Sequence, residues 1–152
     1  MKTMKNVFLG ELQTTFVDAK KPIEKSIRCS LDANNLIREM MGDQIRIKQM
    51  MTATFLNRGN QVMFAEILTI GDAEKTIIPN KEIVRKAIIS GCEAVILAHN
   101  HTGTKTPSES DKRETKAIKE GLKMFDIKLL DHLILTGSDY YSFADNGERS
   151  LA

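Results

Sequence analysis

The chain has 152 residues, of which 41% are hydrophobic and 28% charged, and its formal net charge is +2. This composition is typical of one globular domain and excludes collagen-like, low-complexity and strongly disordered chains. The longest apolar run is too short to span a membrane, and the N-terminus lacks the apolar segment of a signal peptide. We therefore expect a cytoplasmic protein without membrane contact, and the slight basic excess argues against a dedicated nucleic-acid binder.

The spacing of apolar residues predicts strands interspersed with three helices. Ser30 is expected to cap the first helix, and Gly42 is expected to end it. The stretch Asn57-Arg-Gly-Asn60 predicts a hairpin, because Gly and Asn tolerate positive φ. In chain order we predict strands at 7–17 and 26–29, a helix at 31–41, strands at 46–56 and 61–70, a helix at 80–90, a strand at 94–98, a helix at 108–124, and strands at 128–135 and 140–143.

This order of elements indicates an α/β protein of the α+β type, in which helices flank a mainly antiparallel sheet as an αβα sandwich. No internal repeat or long linker is present, so we expect a single domain over residues 1–152, with a core at 26–150 after an N-terminal strand and connection at 1–25. Cys29 and Cys92 form no CxxC pair, and we interpret both as reduced core residues.

Two of the three histidines, His99 and His101, directly follow the apolar strand Ala-Val-Ile-Leu-Ala. In extended backbone, residues i and i+2 project to the same face, so both imidazoles can aim at one point. Asp111 follows His101 by ten positions, in the first turn of the predicted helix. Two imidazoles and one carboxylate suit Zn²⁺, and three protein ligands leave a fourth position for water, as in catalytic sites. The pattern therefore predicts a metal site.

Simpler interpretations stay open for each of these residues. Ser108-Glu-Ser-Asp111 fits a capping box, in which Asp111 only stabilises the start of a helix. His99 and His101 fit ordinary loop histidines, since the His-x-His pattern also occurs by chance. His132 lies on an apolar strand and is most simply a core residue, with a supporting role beside the metal as the alternative. The combination of strand, histidine pair and Ser-x-x-Asp favours the metal site.

The combination of motifs resembles a known family. His-Asn-His at 99–101 with Pro-Ser-x-x-Asp at 107–111 is similar to the JAMM motif of MPN/JAB-domain metalloproteins. The resemblance extends from about residue 26 to 150, and we expect no helix-hairpin-helix segment of the kind that often precedes this domain. Further stretches are similar to the bacterial RadC branch: Leu-Asn-Arg-x-Asn at 56–60, Ile-Leu-Ala-His at 96–99, Leu-Asp-His-Leu-Ile-Leu at 130–135 and Tyr-Ser-Phe-Ala-Asp at 141–145.

The resemblance implies an MPN/JAB-like αβα sandwich with a curved sheet, and a zinc metallopeptidase or isopeptidase activity. By position, His99, His101 and Asp111 would bind one zinc ion. The motif serine, here Ser108, would stabilise the oxyanion of the tetrahedral intermediate. In the family, a glutamate on an earlier strand takes a proton from the water that zinc activates. RadC proteins also carry a DNA-repair label, which no residue of this chain supports directly.

The sequence departs from the family pattern in the loop and at the catalytic base. Six residues, 102–107, separate His101 from Ser108, one fewer than usual, and Thr102 replaces the usual proline. The position of the family glutamate is occupied by Gln49, whose amide cannot act as a general base. We expect Gln49 to point inward, where it is either satisfied by backbone groups or holds a water. Glu66 is the candidate substitute base, with a surface charge as the simpler interpretation.

Two hypotheses of function follow from this pattern. The first is a JAMM-type zinc hydrolase that acts on a peptide or protein substrate, with weak or absent activity because Gln49 replaces the glutamate. The second is a non-catalytic MPN-like module that binds a protein partner or DNA. The charges of the predicted helix at 108–124 mostly mark a solvated face, with a nucleic-acid surface as the minority interpretation. The sequence makes no prediction of oligomeric state.

Overall fold

The computed structural model describes residues 25–71 and 78–151. The strand expected at 7–17 lies outside the described residues. Within them, one sheet of five strands is flanked by helices, which confirms the predicted mixed α/β fold. No helix of these two segments is long and apolar enough to cross a membrane. The elements are α1 (Ser30–Met41), a 3₁₀ helix (Gly42–Arg46), β1 (Gln49–Leu56), β2 (Val62–Gly71), α2 (Asn80–Ser90), β3 (Ala94–Asn100), α3 (Glu109–Lys123), β4 (Lys128–Leu135) and β5 (Tyr140–Ser142).

The strands lie in the order β2-β1-β3-β4-β5. Three of the four neighbouring pairs are antiparallel, and β3 and β4 are parallel. Parallel neighbours need a crossover, and α3 supplies it. Because α3 returns the chain from the end of β3 to the start of β4, its first turn lies at the sheet edge where β3 ends. This topology brings the residues after β3 together with the N-terminus of α3.

Alternation along β3 separates two apolar faces of the sheet. Ile96 and Ala98 belong to a core that α1 covers, whereas Val95 and Leu97 belong to a core that α2 and α3 cover. All seven residues of β3 are buried, as expected for a central strand covered on both sides. By the same alternation, His99 lies on the side of α2 and α3. The αβα layering predicted from the sequence is therefore confirmed.

Two predictions about the start of α1 are wrong: that Ser30 caps the helix, and that Cys29 is a core residue. Cys29 rather than Ser30 occupies the N-cap position, and no side chain caps this helix. The hydroxyl of Ser30 instead contacts Tyr140 and donates to the carboxylate of Asp145, which ties α1 to the C-terminal turn. Cys29 is exposed and Cys92 is buried, so only Cys92 is the core residue that was expected. Gly42 ends the helix at a positive φ of 56°, as predicted.

The predicted first hairpin is confirmed, but its first strand starts later than expected. Asn60 has a φ of 57°, and the side-chain oxygen of Asn57 accepts from two backbone N–H groups of the turn. Strand β1 begins at Gln49 rather than at residue 46, and Ile47 is 70% exposed. The short strand expected at 26–29 is reduced to one bridge between Ser26 and Gln61.

A buried side chain explains the late start of β1. The amide of Asn100 donates to the backbone oxygens of Ile45 and Lys48, both at 2.7 Å. Its oxygen accepts from the backbone N–H of Met50, also at 2.7 Å. The chain before β1 therefore wraps around this amide instead of pairing with a strand. Pattern analysis assigns such a stretch to a strand because its apolar residues alternate, and it has no information on the distant partner.

Candidate metal centre

Three side chains with ligand atoms meet where β3 ends and α3 begins. His99 is the sixth residue of β3, His101 follows the strand, and Asp111 is the third residue of α3. One ligand atom from each lies within 4.8 Å of the others, and this is the one such group among the residues that the structure describes. The backbone N–H of His101 donates to the oxygen of Leu135 at 2.8 Å, which continues the pairing of β3 with β4. The topology of β3, β4 and α3 therefore places all three side chains at the same edge of the sheet.

The distances within this cluster fit a tetrahedral metal ion. The Nε2 atoms of His99 and His101 are 2.9 Å apart. Oδ1 of Asp111 lies 3.3 Å from Nε2 of His99, and Oδ2 of Asp111 lies 3.5 Å from Nε2 of His101. Zinc bonds of about 2.0–2.1 Å at tetrahedral angles separate two ligand atoms by about 3.3–3.4 Å. The three separations lie near that value, so two imidazoles and one carboxylate are close enough together to suit Zn²⁺.

The second ring nitrogen of each histidine has a partner of its own. Nδ1 of His101 lies 2.9 Å from the backbone oxygen of Thr104, to which it must donate. Nε2 is therefore the nitrogen of His101 that remains available to a metal ion. Nδ1 of His99 lies 2.7 Å from Nε2 of His132. Both histidines thus direct Nε2 at the cluster, and this orientation is typical of metal-binding imidazoles.

Asp111 takes part in the cluster and in a capping box at the same time. Its carboxylate accepts from the backbone N–H of Ser108 at 2.7 Å, and the Ser108 hydroxyl accepts from the N–H of Asp111 at 3.0 Å. The two interpretations left open by the sequence are therefore compatible. Burial opposes ionisation of Asp111, but the contacts with His101 and His99 outweigh this effect and hold the pKa of Asp111 well below its usual range. The carboxylate is the charged ligand of the site.

The charge of Asp111 also acts on its histidine neighbour. The hydrogen bond to Asp111 raises the pKa of His101, against the opposing effect of burial, and the contact with the Thr104 carbonyl adds to the rise. A divalent cation bound by these groups would compete with protonation of His101, so metal binding at this place would weaken at low pH.

His132 is a buried residue, as the simpler interpretation expects, and its ring also contacts the candidate cluster. Its side chain has no solvent exposure, and its ring stacks on Phe143 with centroids 4.9 Å apart. Nδ1 of His132 lies 2.6 Å from the hydroxyl of Thr115 on α3. Burial lowers the pKa of His132 well below the ordinary histidine range, and the nearby His99 adds to the effect. His132 is therefore a buried imidazole beside a candidate metal ligand, and burial disfavours its charged form. Sequence analysis missed Thr115, whose one signal is its helical position four residues after Asp111.

Gln49 lies on the side of the sheet that faces the cluster. Met51 is paired with His99 between β1 and β3, and Gln49 precedes Met51 by two positions on the same face. Gln49 is the first residue of β1 and is half-buried rather than fully inward. The position of the family glutamate is thus near the candidate ligands in register, and it holds an amide.

The structure does not bring Glu66 to the cluster. Glu66 lies on β2 opposite Ala53, and β1 separates it from β3. Two strand spacings amount to about 10 Å. Its carboxylate forms an ion pair with Lys86 of α2. A substitute base at Glu66 therefore has no geometric support, and its position fits the simpler interpretation of a charged residue near the surface.

Comparison with known proteins gives a consistent family assignment. A family model described as RadC-like JAB domain matches residues 27–148. The chain is 42% identical to the UPF0758 protein YfjY of Escherichia coli, over 61% of this chain and 59% of the relative. It is 36% identical to a UPF0758 protein of Flavobacterium johnsoniae, over 81% of this chain and 53% of the relative. A UPF0758 protein of Thiobacillus denitrificans is 32% identical over 90% of the chain and 63% of that protein.

The chain spans about half to two thirds of the length of these curated relatives. The family match covers all five strands of the sheet, α1 to α3 and every member of the candidate metal cluster. It also covers the hydrogen-bonded His132 and Thr115 behind that cluster. Because the family model matches most of the chain, the chain belongs to the RadC-like JAB domain family.

Proposed function

We propose that this chain is a JAMM-type zinc hydrolase of peptide or isopeptide bonds with weakened acid–base catalysis. The observation that carries the proposal is the meeting of two Nε2 atoms and one carboxylate at separations of 2.9–3.5 Å. His99, His101 and Asp111 would hold the ion. When bound, zinc would supply Lewis-acid activation of a water and of the substrate carbonyl. Membership of the JAB domain family supports this class of chemistry.

The surrounding residues have separate tasks in this proposal. Ser108 uses its oxygen to accept from the N–H of Asp111, so its hydroxyl hydrogen remains available to a developing oxyanion. The capping box fixes the side chain of Ser108 at the N-terminus of α3, where the helix dipole also favours negative charge. Gln49 can orient a water by hydrogen bonds but cannot accept its proton. In this proposal these residues would supply positioning and charge stabilisation, and general base catalysis would be the missing component.

The missing base sets the expected level of activity. A positioned general base contributes typically about 10²–10⁴-fold in rate. We infer that the native chain cleaves peptide bonds weakly or not at all, in spite of a complete donor set.

Metal analysis tests the proposal most directly. Protein purified without chelator should contain one zinc per chain, and the double variant His99→Ala with His101→Ala should contain none. Asp43→Asn, which removes an exposed carboxylate of the 3₁₀ helix, is the matched control and should keep its zinc. A ligand that binds only the folded state stabilises that state. Zinc should therefore raise the melting temperature of the native and control proteins and leave that of the double variant unchanged. Native protein that binds no zinc, or a double variant that keeps it, would refute the proposed site.

A second candidate function is a non-catalytic module that binds an acidic partner such as DNA. A cavity of about 480 Å³ between α3 and the C-terminal turn favours it. Four basic side chains and one acidic side chain line this cavity: Lys112, Arg113, Lys116, Arg149 and Glu148. Binding to a DNA duplex that weakens steeply with salt and on Lys112→Ala with Lys116→Ala would support this function. Chelator-sensitive peptide cleavage without DNA binding would exclude it.

A further inference from the structure

A chain of three hydrogen bonds connects two of the candidate ligands behind the metal site. The hydroxyl of Thr115 donates to the backbone oxygen of Asp111 at 2.6 Å. The hydroxyl oxygen of Thr115 also lies 2.6 Å from Nδ1 of His132, and Nε2 of His132 lies 2.7 Å from Nδ1 of His99. Thr115 and His132 are both fully buried, at 0% exposure. The chain therefore joins α3, β4 and β3 without contact with water.

The chemistry of the end groups sets the direction of every proton in this chain. A carbonyl oxygen can only accept, so the single hydroxyl hydrogen of Thr115 goes to Asp111. The Thr115 oxygen must then accept, and Nδ1 of His132 carries the hydrogen that it receives. A neutral imidazole has one N–H, so Nε2 of His132 accepts from Nδ1–H of His99. A second proton on His132 would place a charge in a site without solvent, which burial opposes. The hydrogen of a neutral His99 ring consequently lies on Nδ1, and its lone pair lies on Nε2.

We propose that Thr115 and His132 are positioning residues that hold His99 in the metal-binding tautomer. The inference rests on the proposed metal site and deepens it, because it assigns the control of ligand geometry to residues that bind no metal. In the opposite tautomer, His99 would direct an N–H at the cluster and could not serve as a ligand. The stacking of Phe143 on His132 restrains the plane of the central ring. The buried chain selects one ring orientation and one proton position before any ion arrives.

The chain also explains how a short loop between the ligands is tolerated. Residues 102–107 form a loop that is one residue shorter than the family pattern, yet Asp111 lies within reach of both histidines. The link from the Asp111 backbone through Thr115 and His132 to His99 does not pass through that loop. The distance between the β3 and α3 ligands is therefore set by the buried contacts of α3 with β4. Packing, and not loop length, keeps the donor set together.

Four variants separate positioning from simple core packing. Thr115→Val keeps the shape of Thr115 and removes the hydroxyl, whereas Thr115→Ser retains the hydroxyl as the matched control. His132→Phe keeps an aromatic ring against Phe143 and removes both nitrogens, and His132→Gln retains an amide oxygen that can accept from His99. Zinc affinity is measured by competition with a chromophoric chelator, and folding is checked by circular dichroism and thermal unfolding. Loss of such supporting hydrogen bonds typically costs about 10–100-fold in metal affinity.

We expect Thr115→Val and His132→Phe to lose zinc affinity by about 10–100-fold. Thr115→Ser should stay near native affinity, and His132→Gln should recover part of the loss. The second readout is long-range ¹⁵N–¹H NMR of the imidazole nitrogens in metal-free protein. It should place the His99 proton on Nδ1 in the native chain and shift it toward Nε2 in Thr115→Val, since His132 can then reverse its own tautomer. A purely structural role would lower the melting temperature without moving that proton.

Two results would overturn the inference. One is a His99 proton on Nε2 in the native metal-free chain, and the other is native zinc affinity in folded Thr115→Val. If His132→Phe does not fold, the Thr115 pair carries the test alone. The NMR measurement needs no metal, so it tests the positioning of His99 even if native protein binds no zinc. Failure of the proposed function and failure of this inference are therefore distinguishable.

Discussion

Met51 and His99 face each other across the antiparallel pair of β1 and β3. Both are buried on the side of the sheet that α2 and α3 cover. The strand period of two then places Gln49 on the same side, one register step nearer the end of β3 where His101 follows. A side chain at position 49 is thus directed at the region of the candidate ligands, and its chemistry decides whether a proton acceptor is present there.

The first prediction is that Gln49→Glu creates or raises peptidase activity. A carboxylate at this position can accept a proton and pass it to the leaving amine, so we expect an increase of about 10²–10⁴-fold in kcat at equal zinc loading. The measurement is cleavage of a fluorogenic peptide or isopeptide by native and variant protein. Gln44→Glu, on the exposed 3₁₀ helix, adds the same charge away from the site and should change nothing. If both zinc-loaded forms are equally inactive, the missing carboxylate is not what limits this chain.

The second prediction is that Glu66→Gln leaves any activity unchanged. Glu66 is separated from β3 by a full strand and is engaged with Lys86, so it is too distant to take a proton at the cluster. The pair with Lys86 is partly exposed, and its loss should alter stability by at most about 1 kcal/mol. The same peptide assay and a urea titration measure both effects. Loss of a robust native turnover in this variant would transfer the role of base to Glu66.

Much of the fold follows from local patterns, because most elements have a clear period and clear ends. Strand β4 begins and ends where the sequence predicts, and α3 begins after the predicted Ser108 capping box. The hairpin turn at Asn57–Asn60 is equally local. The predicted start of β1 is wrong for a non-local reason, since the amide of Asn100 binds the backbone that precedes this strand.

The candidate site shows the same division between local and distant information. The spacing of His99, His101 and Asp111 predicts their meeting, which the topology of β3 and α3 then produces. The link from His99 to Thr115 through His132 joins residues on three elements, and no local pattern contains it. Such buried polar contacts depend on which strand follows which in the sheet. A single sequence specifies the candidates for them and leaves their pairing open.

The third prediction concerns Asn100, the buried residue between the two histidines of the candidate metal cluster. Its side chain makes three hydrogen bonds to backbone groups, and its exposure is 0%. Asn100→Ala leaves these backbone groups without a partner in the interior, and each such group costs about 1–3 kcal/mol. We expect the free energy of unfolding to fall by about 2–4 kcal/mol. Urea titration in the presence of chelator measures this effect apart from any metal binding.

Asn35 supplies the control for this prediction. It lies exposed on α1 and accepts one long hydrogen bond of 3.4 Å from Asn34, so Asn35→Ala should be near neutral because the better helix propensity of Ala offsets that loss. Asn100→Asp is a second informative variant. It keeps an acceptor for Met50 but places a carboxylate against the oxygens of Ile45 and Lys48, so it should also destabilise. Surface changes that are neutral typically alter stability by roughly 0.5 kcal/mol at most. An Asn100→Ala protein whose free energy of unfolding stays within that range of native would contradict the role of Asn100 in holding these backbone groups.

The fourth prediction is a pH dependence of stability that originates at Asp131. This carboxyl is buried and joins β4 to the C-terminal turn, where it accepts from Ser142 and from the backbone N–H groups of His132 and Ala144. Burial raises the pKa of Asp131 in spite of these hydrogen bonds, and the nearby charge of Asp145 adds to the rise. The folded chain therefore holds a proton at Asp131 that the unfolded chain releases at lower pH.

The sign of the effect follows from this difference in proton binding. Below the ordinary carboxyl pKa of about 4, both states hold the proton, and the contribution of Asp131 to stability is fully present. As the pH rises from there through the raised pKa of the folded state, the contribution is lost, because the folded chain alone still carries the proton. Asp131→Asn keeps an oxygen for the backbone donors and a donor for the Ser142 hydroxyl, and it does not titrate. We expect the difference in unfolding free energy, native minus variant, to be largest near pH 4 and to decline toward neutral pH in urea titrations. Asp43→Asn, at an exposed position, should show a far smaller decline, and a native-minus-variant difference for Asp131→Asn that rises with pH would contradict the assignment.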